Sequence, residues 1–116
     1  MSTQMLVVFT NPVEGREEEY NNWYDNQHLA DVLKIPGVRS AQRFELGEVQ
    51  RMPAPYPWKY MAIYEVESDK IHDMIEGLRR AAGTDAMPMT DALAAERLNW
   101  FFVPRGAPLV GMPEAG

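Results

Sequence analysis

The chain contains no cysteine. Disulfides, iron–sulfur clusters and thiol nucleophiles are therefore excluded, although this absence does not fix a compartment. Histidine is almost as scarce. With only His28 and His72 present, a three-histidine metal site cannot be built within one chain. Positive charge is also short, with 11 Lys and Arg against 17 Asp and Glu and a net charge of -6. Phosphate backbones need clustered Lys and Arg, and no such run occurs, so neither nucleic acid nor a membrane surface is an expected partner. The apolar run Met5 to Phe9 lacks a basic flank and is too short for a signal or a membrane span. A cytoplasmic protein is expected. There is no Gly-rich phosphate loop, no paired-histidine spacing and no Ser-His-Asp order.

What is present is a globular composition, 46% hydrophobic over 116 residues, enough for one domain and one core. "MLVVFT" predicts a first strand over 4–10, ended by "NPVEG". A helix follows from near Gly15, with Glu17, Glu18 and Glu19 where the helix dipole favours acids. It stops before "IPG", because Pro36 disfavours helical geometry at Ile35. "GVRSAQRFEL" predicts the second strand, "GEVQRMPAPYPW" a loop with three prolines, and "WKYMAIYEVE" the third strand. Ser68 is placed as N-cap of a second helix whose Ile71, Met74, Ile75 and Leu78 share one face. Gly83 closes it, a short helical piece is expected over 90–95, and "RLNWFFVP" predicts the fourth strand. From Pro104 the tail carries three prolines and three glycines, which rules out a helix or a central strand. The expected division is a domain over 1–104 and a Pro/Gly-rich tail over 105–116.

The order β-α-β-β-α-β is the ferredoxin-like, α+β pattern, with two helices on one face of a four-stranded antiparallel sheet. Strands one, three and four are apolar on both faces: Met5, Val7 and Phe9 oppose Leu6 and Val8, while Trp100 and Phe102 oppose Phe101. A second copy of the chain, sheet against sheet, is the economical cover for the helix-free face.

Along the first helix, Tyr20, Trp23, Tyr24, Gln27, His28 and Asp31 fall within about 140° of arc at 3.6 residues per turn. The aromatics make that face the buried one. Leu29, Val32 and Leu33 leave the stripe, which predicts a bend or a change of register near His28. A histidine there suits acid–base work near neutral pH, with Asp31 one turn on to orient it. The plainer alternative is that His28 bonds a backbone carbonyl and Asp31 caps or pairs with an arginine. His72 lies off the apolar stripe and reads as surface. Arg39 and Arg43 fall on one face of the second strand, to hold an anion or, more simply, to pair with Glu45 or Asp31.

The stretch "WYDNQHLADVLKIPGVRSAQRF" resembles the EthD-like branch of the dimeric α/β-barrel superfamily. Trp23, Tyr24, Asp25, His28, Pro36, Gly37, Arg43 and Phe44 carry the resemblance. It implies a homodimer whose sheets close a barrel, with one cleft per protomer between sheet and helices. It also implies a small-molecule enzyme without a cofactor: a lyase, decarboxylase or isomerase acting on an aromatic or cyclic carbonyl compound. His28 and Asp31 would be catalytic, while Tyr20, Trp23, Tyr24, Gln27 and Arg43 would bind a small hydrophobic or aromatic ligand. A non-catalytic binding protein and a cofactor-free monooxygenase are the alternatives.

Overall fold

The computed structural model describes residues 2–114. Four strands, β1 (Thr3–Thr10), β2 (Val38–Glu45), β3 (Tyr60–Glu67) and β4 (Leu98–Phe102), form one antiparallel sheet in the order β2-β3-β1-β4. The two longest apolar runs, in β1 and β3, pair with each other at the centre, where both faces can be covered. A helical rod follows β1: α1 (Glu17–Trp23), a π-helical segment (Tyr24–His28) and α2 (Leu29–Leu33). After β3, a 3-10 turn (Ser68–Lys70) leads into α3 (Ile71–Ala81). The chain is thus an α+β, ferredoxin-like domain with both helical layers on one face of the sheet, as the residue pattern predicted.

Burial follows the period-two alternation of strands. Tyr60, Ala62, Tyr64 and Val66 of β3 are buried on the helix side, with Leu6 of β1. Tyr20, Tyr24 and Val32 meet them from the rod and Met74 from α3. Each fully buried Val or Met side chain contributes roughly 1.5–3 kcal/mol by leaving water. On the other face Trp100, Phe102 and Phe44 remain exposed.

Three local expectations are corrected. Residues 90–95 form no helix but a turn and a bridge. There Leu93 pairs with Pro12, Val13 N–H donates to the Ala92 carbonyl at 2.7 Å, and the Thr90 hydroxyl accepts from Ala92 N–H. Backbone pairing to the segment after β1 outweighs helix propensity in so short a piece. Ser68 caps no helix, because it lies inside the 3-10 turn and no side chain caps α3. Finally, β2 carries a bulge between Val38 and Ser40 that sets Arg39 off the ladder. The shared face expected for Arg39 and Arg43 is therefore broken, since one extra residue shifts the alternation. Arg39 pairs with Glu67 on the surface, whereas Arg43 enters the helix side opposite Ala62.

The helix stop at Pro36 is as expected. Gly37 adopts φ +97°, and a Cβ there would sit 2.7 Å from Lys70 Cβ, so both the turn and the packing require glycine. Beyond β4, residues 103–114 form no helix or strand and are exposed.

Candidate functional site

A cavity of about 150 Å³ opens between the helical layer and the sheet. Leu6 and Val8 of β1, Tyr64 of β3 and Met74 and Leu78 of α3 give it an apolar wall. Trp23, Tyr24, His28 and Val32 close it from the rod. Exposed Arg97 and Asn99, at the start of β4, form the rim with Met89. An apolar cavity of this size accepts a molecule as large as benzene.

The π segment sets the geometry. Leu29 N–H bonds the Tyr24 carbonyl five residues back, so the rod re-registers over the turn that ends at His28, where the stripe predicted a change. The change brings His28 onto Trp23, ring centroids 4.4 Å apart and planes at 23°, and edge-on to Tyr24 at 5.2 Å. Trp23 in turn donates its indole N–H to the Pro88 carbonyl at 2.9 Å, which fixes the loop bearing Met87 and Met89. Met87 is wholly buried beneath that loop.

Burial lowers the His28 pKa to about 4, against a smaller upward pull from Asp31 and a further lowering by Arg97. The imidazole is therefore neutral at pH 7. Its Nδ1 is buried and has no hydrogen-bond partner, and the buried Tyr64 hydroxyl is likewise unpartnered. Tyr24 lies beside Tyr64 without hydrogen-bond geometry, and burial raises the pKa of both hydroxyls. Leaving a buried polar atom unpaired costs roughly 1–3 kcal/mol, so two residues that line this cavity each carry an uncompensated polar atom.

Of the residues singled out from sequence, Trp23, Tyr24 and His28 line the cavity. Asp31 is buried nearby, and its carboxylate accepts a hydrogen bond from the Gln27 amide at 2.7 Å. The expectation is a hydrogen bond to His28, direct or through water; no direct one forms, and the influence of Asp31 on the ring is that of its charge. Gln27 is turned outward and exposed by the π register. Tyr20 is fully buried behind the cavity and shares a hydrogen bond with Thr10.

Arg43 forms a separate cluster. Its guanidinium carbon lies 4.2 Å from the Tyr24 ring centroid, 4.9 Å from that of Tyr60 and 5.2 Å from that of Tyr20. Nη1 pairs with Asp25 at 2.8 Å, while Nε and Nη2 are buried without oxygen partners, against the rings. Arg43 and Asp25 thus pair with each other, and neither stands at the cavity. Sequence reasoning missed Tyr64, Arg97 and Asn99. The signal for Asn99 was available: it is the polar residue between Leu98 and Trp100 on a strand otherwise apolar on its helix side.

Among the described residues no three His, Asp or Glu side chains converge as a metal set, and no helix is long and apolar enough to cross a membrane. No protein-family profile and no curated protein sequence matches the chain. In solved structures it is similar to an ethyl tert-butyl ether D (EthD) family protein from Bacillus halodurans C-125, at 17% identity and a TM-score of 0.49. That likeness covers 74% of this chain and 76% of the other.

Proposed function

We propose that the cavity is the site of a small-molecule enzyme of the EthD-like kind, which performs acid–base chemistry on a small aromatic or cyclic carbonyl compound without a cofactor. The observation that carries this reading is His28, neutral at pH 7 and unpartnered at its buried Nδ1, among the residues that line a largely apolar cavity. A ring stacked on Trp23 is held in one orientation, and in its neutral state it can accept a proton from a bound substrate. The imidazolium so formed is opposed by burial, and the Asp31 carboxylate is the nearby charge that favours it. Tyr64, kept protonated by burial, supplies a donor for a substrate oxygen. Positioned acid–base catalysis of this kind is worth roughly 10²–10⁴-fold.

A purely binding site is the competing reading. The depression of the His28 pKa favours it, since a weak base moves protons poorly at pH 7. Turnover of phenolic and cyclic ketone substrates by the wild type and His28→Gln decides between them. The enzyme reading requires that His28→Gln lose at least a hundredfold in kcat while still binding. Equal rates in the two proteins, or no turnover by either, would remove it.

The exposed Trp100 and Phe102 support a homodimer in which two sheets face each other. In this arrangement the tail after Pro104 lies outside the domain or along the partner.

A further inference from the structure

We infer that Arg43, which does not stand at the cavity, is the positioning residue for His28: from β2 it holds the π turn whose register sets the imidazole against Trp23. This rests on reading His28 as the working group of the cavity, and it names what keeps that group in place.

Three observations lead there. The first is where Arg43 grips. Its guanidinium carbon lies 4.2 Å from the centroid of the Tyr24 ring, and its Nη1 lies 2.8 Å from the Asp25 carboxylate. Tyr24 and Asp25 open the π segment, and the Tyr24 carbonyl accepts the bond from Leu29 N–H that gives the turn its wide register. One side chain from the sheet thus ties the turn down at its start. The second is what the grip costs. Nε and Nη2 are buried without hydrogen-bond partners, a penalty that an arginine serving only an exposed ion pair would avoid by reaching into water. Flat contact with a ring is what a planar, weakly hydrated guanidinium provides and an ammonium does not. The third is the line of contacts onward from Tyr24. Its ring meets the His28 ring edge-on at 5.2 Å, and His28 stacks on Trp23. The charges that act on the imidazole are those of Asp31 and Arg97, so Arg43 reaches it through this packing and not through its field. A π turn is an uncommon register inside a helix, and it persists where an outside contact favours it.

Amide exchange at Leu29 and the NMR signals of the His28 ring test this in the full chain. Arg43→Lys keeps a charge opposite Asp25 but takes the flat group off Tyr24. It should quicken Leu29 exchange about tenfold or more relative to the β1 and β3 amides, as loss of a desolvated contact between cation and ring provides. It should also move the His28 ring signals towards those of exposed His72. Asp25→Asn, which removes only an exposed ion pair, should change neither. Arg43→Met keeps the buried stem without the two unpaired N–H groups, so it gives the same readings if Arg43→Lys does not fold. Leu29 exchange that keeps pace with the sheet amides, with His28 unmoved, would make Arg43 a general stability contact and overturn the inference. Equal effects from Asp25→Asn would overturn it too. Where the wild type turns over a phenolic or cyclic ketone substrate, Arg43→Lys should lower kcat and leave KM unchanged, because Arg43 does not touch the ligand. A raised KM at constant kcat would count against the inference in the same way. A wild type without turnover would remove the enzyme reading and leave the role of Arg43 to the Leu29 and His28 signals.

Discussion

Trp23 and His28 stack with their ring centroids 4.4 Å apart, although on a regular α-helix residues five apart point about 140° away from each other. The π segment Tyr24–His28 removes that divergence. Its wider turn costs hydrogen-bond geometry, and such single turns occur frequently at functional sites. Here it brings onto the Trp23 indole an imidazole that a regular helix would place at the far edge of the same inward face.

The electrostatics of that imidazole can be measured directly. NMR titration should place the His28 pKa at about 4. Asp31→Asn removes a charge that raises it and keeps an acceptor for Gln27, so the pKa should fall further. Arg97→Gln removes a charge that lowers it, so the pKa should rise. Shifts of the opposite sign would show that neither charge acts on the ring.

The same depression predicts a pH dependence of folding. A histidine whose folded pKa lies below its unfolded value of 6.5 binds more protons when unfolded between those pH values. Stability from this group is thus fully present above pH 6.5 and is lost as the pH falls towards about 4. At 1.36 kcal/mol per pKa unit the loss is on the order of 3 kcal/mol. Carboxylates titrate in the same range, so the difference between wild type and His28→Gln in urea melts at pH 4.5 and 7.5 isolates it. A constant difference across that range would contradict the burial of the ring.

Arg43 should matter more than its ion pair. The Asp25 carboxylate is 57% exposed, and such pairs contribute up to about 1 kcal/mol. The Arg43 side chain is only 11% exposed, and its guanidinium packs on three tyrosine rings. Arg43→Ala should therefore cost about 2–4 kcal/mol in chemical denaturation, and Asp25→Ala less than about 1. Equal costs would make the ion pair, and not the aromatic cage, the source of stability.

Gly37→Ala should destabilise by roughly 2 kcal/mol or more, because positive φ and the contact with Lys70 Cβ penalise the same methyl group. Gly77→Ala is the control. Its Cβ would meet Ile35 Cγ2 at 3.0 Å, but the gain in helix propensity of about 1 kcal/mol opposes that crowding. Thermal melts of the two variants should therefore differ clearly in midpoint, with Gly37→Ala the lower.

For the open sheet face, light scattering at micromolar concentration should return twice the chain mass of 13.2 kDa. Trp100→Glu, placed where the residue is 54% exposed in one protomer, should return the single-chain mass with the fold retained. A wild type of single-chain mass would leave the apolar face without its proposed cover.

The sequence by itself determined the element order, because each device that sets it is local. The period-two runs of β1 and β3 make strands, Pro36 and Gly37 stop the rod, and the prolines between Gly47 and Trp58 forbid a strand there. It also determined that Trp23, Tyr24 and His28 face inward, since the aromatic stripe has no other place to bury itself. Tertiary structure alone decided the register. The π turn shows in the pattern only as Leu29, Val32 and Leu33 leaving the stripe, and the one-residue bulge leaves no mark that a period of 2 can detect, yet each rotates side chains onto another face. Those two irregularities turned Gln27 outward, parted Arg39 from Arg43 and stacked His28 on Trp23. The pairing of β4 with β1 brought Arg97 and Asn99 to the rim, some 70 residues along the chain from His28. Contacts that distant depend on how strands align in space, and no local pattern encodes them.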